Sequence, residues 1–344
     1  MKDLVIGVLG GMGTYATINL FKQYAEVFPA EKEWERPRII IDNRCTMPSR
    51  VRAFLYHENV ERLIDKMANS IDGLLKIGGS ARIILACNTS HLFLPQIYKK
   101  VPEAKSAVIN IIHSCVEQIS KDNVKQVFLL GSEGTIESKV YQEALSEKGI
   151  ICKVPQKEQY VLLRNCIEAV KQNKYSDEVK KPFQELMDEY DVPIILGCTE
   201  LPILYEKYKD GIDITVYDPL LIALKKLRLF KQCKAYADYL IVAVQDGNYI
   251  KKFKPDAKVL YTTEERVEML EALRIVDKVV VYESVDSKFL GTIDFDILAL
   301  GEDHRGGRFD AVEQWCEEHN KRVVRLKRTK GICSSDIKKS LEAK

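Results

Sequence analysis

No run of 18 consecutive apolar residues occurs in the 344-residue sequence, and no two of its nine cysteines are spaced Cys-x-x-Cys. The first absence argues against a membrane-spanning helix. The second, with the odd cysteine count, argues against a zinc ribbon and against a disulfide framework. Net charge is scarce too: 52 Lys and Arg stand against 50 Asp and Glu, so no global field draws in nucleic acid, a membrane surface or an anionic substrate. Any acidic ligand must be held by local donors. The opening Met1-Lys2-Asp3-Leu4-Val5-Ile6-Gly7 runs straight into an apolar strand without the pattern of an export leader. These absences predict a globular protein of the reducing cytoplasm, and the length predicts two or three domains.

What is present is an alternation of strands and helices over the first 226 or so residues. Strands are predicted at 3–9, 38–42, 82–86, 107–110, 125–131, 150–153, 193–196 and 213–216, separated by amphipathic stretches such as 54–77, 136–148 and 176–189. That rhythm builds parallel sheets joined by crossover helices. The expected fold class is α/β.

Two segments read alike, Leu85-Ala86-Cys87-Asn88-Thr89-Ser90-His91 and Leu196-Gly197-Cys198-Thr199-Glu200-Leu201. Each is a buried strand, then a cysteine, then polar residues suited to opening a helix. A thiol in that place lies near exposed N–H groups and the positive end of a helix dipole, which favours thiolate. The two segments end the third and seventh strands, equivalent positions in halves that divide near residue 115. Paired lobes would bring Cys87 and Cys198 together. Either cysteine alone is more simply an inert core residue; the pairing is what favours acid and base.

The first loop, Leu9-Gly10-Gly11-Met12-Gly13-Thr14-Tyr15-Ala16, follows a strand and opens a helix, so its amides can approach an anion closely. Gly11, Gly13 and Ala16 also fit G-x-G-x-x-A, and Asp42 ends the next strand, so a nicotinamide enzyme is a rival. Against it, Asp42 continues into the polar Asn43-Arg44-Cys45-Thr46-Met47-Pro48-Ser49-Arg50, a loop suited to gripping a carboxylate.

Four motifs in this order, Gly10-Gly11-Met12-Gly13, Met47-Pro48-Ser49-Arg50, Cys87-Asn88-Thr89-Ser90-His91 and Gly197-Cys198-Thr199-Glu200-Leu201-Pro202, resemble the aspartate/glutamate racemase family. The resemblance runs from residue 1 to about 226. It implies two pseudo-symmetric lobes, 1–115 with 205–226 returning to it and 116–204, a site between them, no pyridoxal phosphate or other cofactor, no metal, and a homodimer. To invert an α-carbon, a base takes the proton from one face while an acid donates on the other. Cys87 and Cys198 are the expected pair, one thiolate and one thiol, since a free thiol with pKa about 8.5 is mostly protonated at neutral pH. A thiolate is a weak base toward such a carbon, so fixed donors must stabilise the developing charge. Candidates are Asn88, Thr89, Thr199 and Arg50, whose planar fork matches a carboxylate. Met12, Gly13 and Thr14 would line the floor, and Arg164 is the guess for a second carboxylate. Asn88, Thr89 and Thr199 also read as helix caps, and Arg50 as a solvated loop residue. His91 reads as a helix residue rather than a third acid. Cys45, Cys115, Cys152, Cys166, Cys233, Cys316 and Cys333 read as structural.

From Leu227 on a further α/β unit is expected, with strands at 237–244, 278–282, 296–300 and 322–326 and helices at 263–273, 309–319 and 334–342. Asp238 to Val244, Thr263-Glu264-Glu265-Arg266, Arg274-Ile275-Val276-Asp277, Gly301-Glu302-Asp303-His304 and Arg328-Thr329-Lys330-Gly331-Ile332-Cys333-Ser334-Ser335 resemble the glycerol-3-phosphate cytidylyltransferase family. The resemblance implies an incomplete Rossmann-like domain. Its opening strand and His-x-Gly-His motif are missing: Leu227-Arg228-Leu229-Phe230 is preceded by Ala223-Leu224-Lys225-Lys226 of a racemase-like helix. Losing two transition-state donors and a central strand predicts no cytidylyl transfer, with Arg274, Arg328 and Ser334 left for weak nucleotide or phosphate binding. Residues 218–235 carry no glycine, so one stiff helix is expected at the junction.

The sequence therefore points to a racemase of aspartate or glutamate fused to a degenerate nucleotidyltransferase-like unit. Two alternatives stand beside it: a nucleotide- or phosphate-binding protein of cell-surface polymer synthesis built on a racemase-like scaffold, and a silent regulatory protein. Aspartate and glutamate differ by one methylene of pocket depth, which the sequence does not resolve.

Overall fold

A computed structural model of the protein describes residues 4–78, 82–234, 239–249, 262–271, 276–302 and 304–326. Asp3–Lys226 form one compact unit, and Leu227–Lys344 belong to another. No helix among the described residues is long and apolar enough to cross a membrane.

In the first unit, short runs of Val, Ile and Leu are buried on both faces, the mark of parallel strands covered by helices. The chain runs β1 (Val5–Gly10), α1 (Thr14–Val27), β2 (Arg38–Asn43), α2 (Arg50–Tyr56), α3 (Val60–Gly78), β3 (Arg82–Leu85), α4 (Leu94–Lys100), α5 (Ala104–Ala107) and β4 (Val108–Ile109). After α6 (Ile111–Lys121) the plan repeats. It runs β5 (Gln126–Gly131), α7 (Glu133–Glu137), α8 (Val140–Ser146), β6 (Ile151–Lys153), α9 (Tyr160–Lys171), α10 (Asp177–Met187), β7 (Ile194–Gly197), α11 (Leu201–Tyr208) and β8 (Val216–Tyr217). The sheets are ordered β2-β1-β3-β4 and β6-β5-β7-β8, all parallel, so β5 to β8 occupy the places of β1 to β4.

In each sheet the order reverses between its first and third strands, where open α/β sheets take ligands at the carboxyl ends. β1 pairs with β3 up to Leu9↔Leu85, and β5 with β7 up to Gly131↔Gly197. The Gly10–Gly13 loop and Cys87 thus leave one switch point. The Gly131–Gly134 loop and Cys198 leave the other.

Two expected helices are interrupted, for local reasons. The stretch 54–77 divides because His57 closes α2 in the left-handed conformation (φ 57°), and 136–148 divides at Lys139 (φ 58°). The expected change of lobe near residue 115 falls inside α6, whose first turn is capped by Asn110 accepting from the amides of Ile112 and His113. The segment 205–226, expected to return to the first lobe, divides its contacts. Its strand β8 pairs with β7, while Asp218 accepts a 2.5 Å hydrogen bond from Gln23 of α1.

Asp218 opens α12 (Pro219–Lys234), the continuous helix expected at the junction. In the second unit, β9 (Ile241–Gln245) pairs with β10 (Lys278–Tyr282), and β11 (Ile297–Gly301) pairs with β12 (Arg322–Leu326), as two separate parallel pairs. α13 (Thr263–Glu271), α14 (Ser287–Leu290) and α15 (Arg308–Glu318) accompany them. A doubly wound sheet places its first strand at the centre, so a chain lacking it leaves two flanking pairs. β9 accordingly is half-buried with Ala243 exposed, whereas β1 is buried throughout. The expected helix 334–342 and the residues Arg274, Asp303, Arg328, Cys333 and Ser334 lie outside the described residues.

Asp218 makes a testable cap. Its Oδ1 accepts from the amides of Leu220 (2.9 Å) and Leu221 (3.3 Å), and burial raises its carboxyl pKa against the lowering effect of Gln23 and these amides. A raised folded-state pKa means the ionised carboxylate is the disfavoured form, so its contribution declines as pH rises above the unfolded value. Asp218→Asn keeps the acceptor without the charge. At neutral pH, Asp218→Ala is expected to cost about 1 kcal/mol more than Asp218→Asn, measured as thermal midpoints of the full chain. Equal losses would refute the capping role.

Candidate active site

The turns that carry the two cysteines meet. Thr199 Oγ1 donates to the carbonyl of Ala86 at 3.3 Å, so the residue after Cys198 bonds the residue before Cys87. The same hydroxyl lies 3.3 Å from Glu200 Oε2, which also accepts from Cys198 Sγ at 3.0 Å. Both thiols are free and partly buried. Burial is the main force pushing the Cys198 thiol well above its ordinary pKa. Glu200 and, more weakly, Cys87 add to it, while the ammonium of Lys171 opposes them.

On the first half, Asn88 Oδ1 accepts from Tyr141 of α8 at 2.6 Å, and its Nδ2 is buried without a partner. Thr89 is tied across to the β5–α7 turn, 3.0 Å from Ser132 Oγ and 2.9 Å from Thr135 Oγ1. That approach is close: a Cβ on Gly134 would lie 3.0 Å from Thr89 Cγ2. The pseudo-equivalent glycine of the first loop is Gly13, with φ 155°, where any Cβ would overlap Glu200 Oε1. Each half thus seats a loop glycine against the residue two beyond the other half's cysteine.

Arg50, the first residue of α2, donates to the carbonyls of Met12 (2.9 Å) and Pro48 (3.0 Å). Its Nε is buried with no partner among the described residues. Arg50 is therefore not a solvated loop residue; it holds the first loop and keeps one donor uncommitted. Met12 is buried, and Thr14 is exposed, 3.4 Å from Cys45 Sγ. Arg164 already has a carboxylate, ion-pairing with Glu133 beside Ser132 with its side chain 56% exposed.

His91 uses both ring nitrogens on the backbone. Nδ1 lies 3.0 Å from the Cys87 carbonyl, and the Ile111 amide donates to Nε2 at 3.4 Å. That geometry requires a neutral ring protonated at Nδ1. Burial lowers its pKa to about 4, so it fixes the Cys87 turn and keeps no proton to give. The segment after Cys87 is a short 3-10 turn, Thr89–Phe93, and the α-helix begins only at Leu94. The helix dipole expected next to Cys87 is correspondingly displaced.

Two groups lie outside the expected set. Glu200 reads in the sequence as one more polar residue opening a helix; its place two beyond a strand-end thiol was the available signal. Lys171 closes amphipathic α9, where a lysine ordinarily faces solvent and no motif surrounds it. The other cysteines divide. Burial keeps Cys115 protonated, raises Cys152 to about 12 and Cys166 to about 11, and raises Cys316, all consistent with inert packing. Cys45 instead is exposed, and its sulfur accepts from Asn43 Nδ2 at 3.3 Å. Cys233 and Cys333 have side chains outside those described.

Comparison with known proteins agrees with this arrangement. The profile Asp/Glu/Hydantoin racemase matches residues 9–227, and the profile Cytidylyltransferase-like matches residues 224–340. The broad specificity amino-acid racemase RacX of Bacillus subtilis is 28% identical over 222 residues, covering 61% of this chain and 91% of its own length. The glycerol-3-phosphate cytidylyltransferase of Staphylococcus aureus is 34% identical over 122 residues, covering 34% of this chain and 85% of its own. The solved aspartate racemase of Picrophilus torridus superposes with a TM-score of 0.56 at 27% identity, covering 65% of this chain and 94% of that one. Two halves of one strand order, with thiol-bearing turns joined at Ala86 and Thr199, belong to a chain that is a member of the Asp/Glu/Hydantoin racemase family through residues 9–227 and of the cytidylyltransferase-like family through residues 224–340.

Proposed function

We propose that the first unit is an amino-acid racemase that inverts the α-carbon of aspartate or glutamate by proton transfer between Cys87 and Cys198. The observation that carries this reading is the Thr199–Ala86 hydrogen bond, which ties the two cysteine turns to each other. One thiolate removes the α-proton, and the opposed thiol donates to the other face. No step of this exchange calls for a prosthetic group.

The developing charge needs donors, and two are uncommitted. Arg50 Nε and Asn88 Nδ2 are both buried without partners among the described residues, which is rare for polar groups in a folded protein. A substrate carboxylate would satisfy them. Lys171 joins Arg164 as a candidate for the second carboxylate because its charge reaches Cys198, although it pairs with Glu168 at 2.7 Å as Arg164 pairs with Glu133. Met12 and Gly13 shape the floor through the loop that Arg50 holds.

For the second unit, family membership favours nucleotide binding, and one local feature supports it at the carboxyl end of β9. Asp246 gathers the turn there, accepting from the amides of Asn248 and Tyr249 and from Thr263 Oγ1. Arg266 donates to the Gln245 carbonyl at 2.8 Å and keeps a buried Nε without a partner among the described residues.

Two experiments test these readings. In deuterated water the native protein should exchange the α-proton of aspartate or glutamate. Cys87→Ala and Cys198→Ala should each cut racemisation by about 10²–10⁴-fold, each sparing exchange with one enantiomer at most. Wild-type exchange in both variants refutes the two-thiol mechanism. Titration calorimetry with CTP should show binding that Arg266→Ala weakens; no heat with the native chain refutes the nucleotide site.

A further inference from the structure

The two halves share strand order and cysteine position, yet differ at the second residue beyond each cysteine. Beside Cys87 that residue is Thr89, in a turn completed by Asn88, Ser90 and a neutral His91, with no carboxylate of its own. Beside Cys198 it is Glu200, only 2% exposed. Glu200 Oε2 accepts from Cys198 Sγ and from Thr199 Oγ1, and Oε1 is buried without a partner among the described residues. Gly13 closes over this carboxylate so tightly that no side chain fits there. The carboxylate is built against one thiol of the pair and has no counterpart in the turn beside the other.

We propose that Glu200 is a positioning residue that holds the proton on Cys198 in the resting protein, leaving Cys87 as the thiolate that acts first. This rests on the two-thiol reading above. A carboxylate 3.0 Å from Sγ is a hydrogen-bond acceptor for a thiol and an adjacent like charge for a thiolate, so it favours the protonated form. The groups facing Cys198 are Glu200 on its own turn, Cys87 at the end of β3 and Lys171 from α9. Burial and Glu200 together outweigh the opposing Lys171 charge.

The proton balance is closed. Cys87 thiolate takes the α-hydrogen as a proton and becomes thiol; the electron pair left on the α-carbon takes the proton of Cys198, which becomes thiolate. The resting form returns when Cys87 releases a proton to solvent and Cys198 gains one. One enantiomer meets the resting form directly, and its mirror image needs the reversed form that Glu200 disfavours. Because mirror images are equally stable, kcat/KM is equal for both at any pH, and the asymmetry appears in thiol reactivity and in the shift of the common exchange profile when Glu200 is replaced.

The test is iodoacetamide labelling of the full chain across pH, mapped peptide by peptide, with α-proton exchange measured in parallel. In the native protein Cys87 should be alkylated about tenfold or more ahead of Cys198, the ratio of one pKa unit. Glu200→Gln should speed Cys198 labelling by about tenfold and move the alkaline limb of the exchange profile to lower pH, while Glu200→Asp should restore the native order. Cys198 labelling first in the native protein overturns the proposal. So does a Glu200→Gln protein whose labelling order and pH profile match the native, since simple shielding of Cys198 predicts that result. Absent exchange in the native protein would instead refute the racemase reading, with the labelling order still judging Glu200.

Discussion

The peptide of Ala86 joins the two halves of the first unit. Its amide donates to Leu9 at 2.9 Å, extending the pairing of β3 with β1, and its carbonyl accepts from Thr199 beyond β7. A buried backbone carbonyl at a strand end needs a partner, and here the other sheet supplies it. The two cysteine turns of the candidate site are registered to that joint. Cys87 follows it on one side, Cys198 precedes its donor on the other, and Gly13 and Gly134 approach the turns it fixes. The loops are secured in turn by Arg50 on Met12 and by the Thr89, Ser132 and Thr135 hydroxyls.

The architecture was largely legible in the sequence because it is written in long apolar runs. β1, β3, β5 and β7 are buried along almost their whole length, and such strands read as unbroken Val, Ile and Leu. Helix interruptions were not legible, because His57 and Lys139 carry no strong preference for the left-handed conformation they adopt. The cysteine turns stood out through their repetition. Glu200 and Lys171 did not, because a polar residue after a strand and a lysine at a helix end have common explanations that need no site. The ion pair of Arg164 was not legible either: its partner Glu133 is 31 residues away and no local pattern announces the pair. The surroundings of Cys45 in the sequence are undistinguished, and only the fold shows it exposed beside Thr14.

The second unit shows what a missing strand does to a sheet. β9 and β11 each retain one parallel partner, and their residues stay half-exposed because no described strand covers the remaining edge. Apolar strands at open edges are a known liability, and Val281 of β10 is 47% exposed. The local turns survive the loss. Thr263 and Arg266 at the start of α13 are hydrogen-bonded across to Gln245, Asp246 and Gly247 at the end of β9. Family membership can therefore persist in motif and turn while the chemistry that required the absent histidines does not follow from it.

Racemisation asks for two similar groups on opposite faces of one carbon, which a duplicated half-sheet plan provides with little invention. Complete symmetry would be a poor answer, because a site with two equal thiols does not specify which one carries the proton. Two thiolates in one buried site repel, and two thiols supply no base. One uneven neighbour resolves this. Glu200 on one side and Thr89 on the other distinguish the two turns, and the Glu200 carboxylate occupies the space that a Cβ on Gly13 would need. The fold supplies the pair, and the uneven neighbours of its two thiols assign the roles.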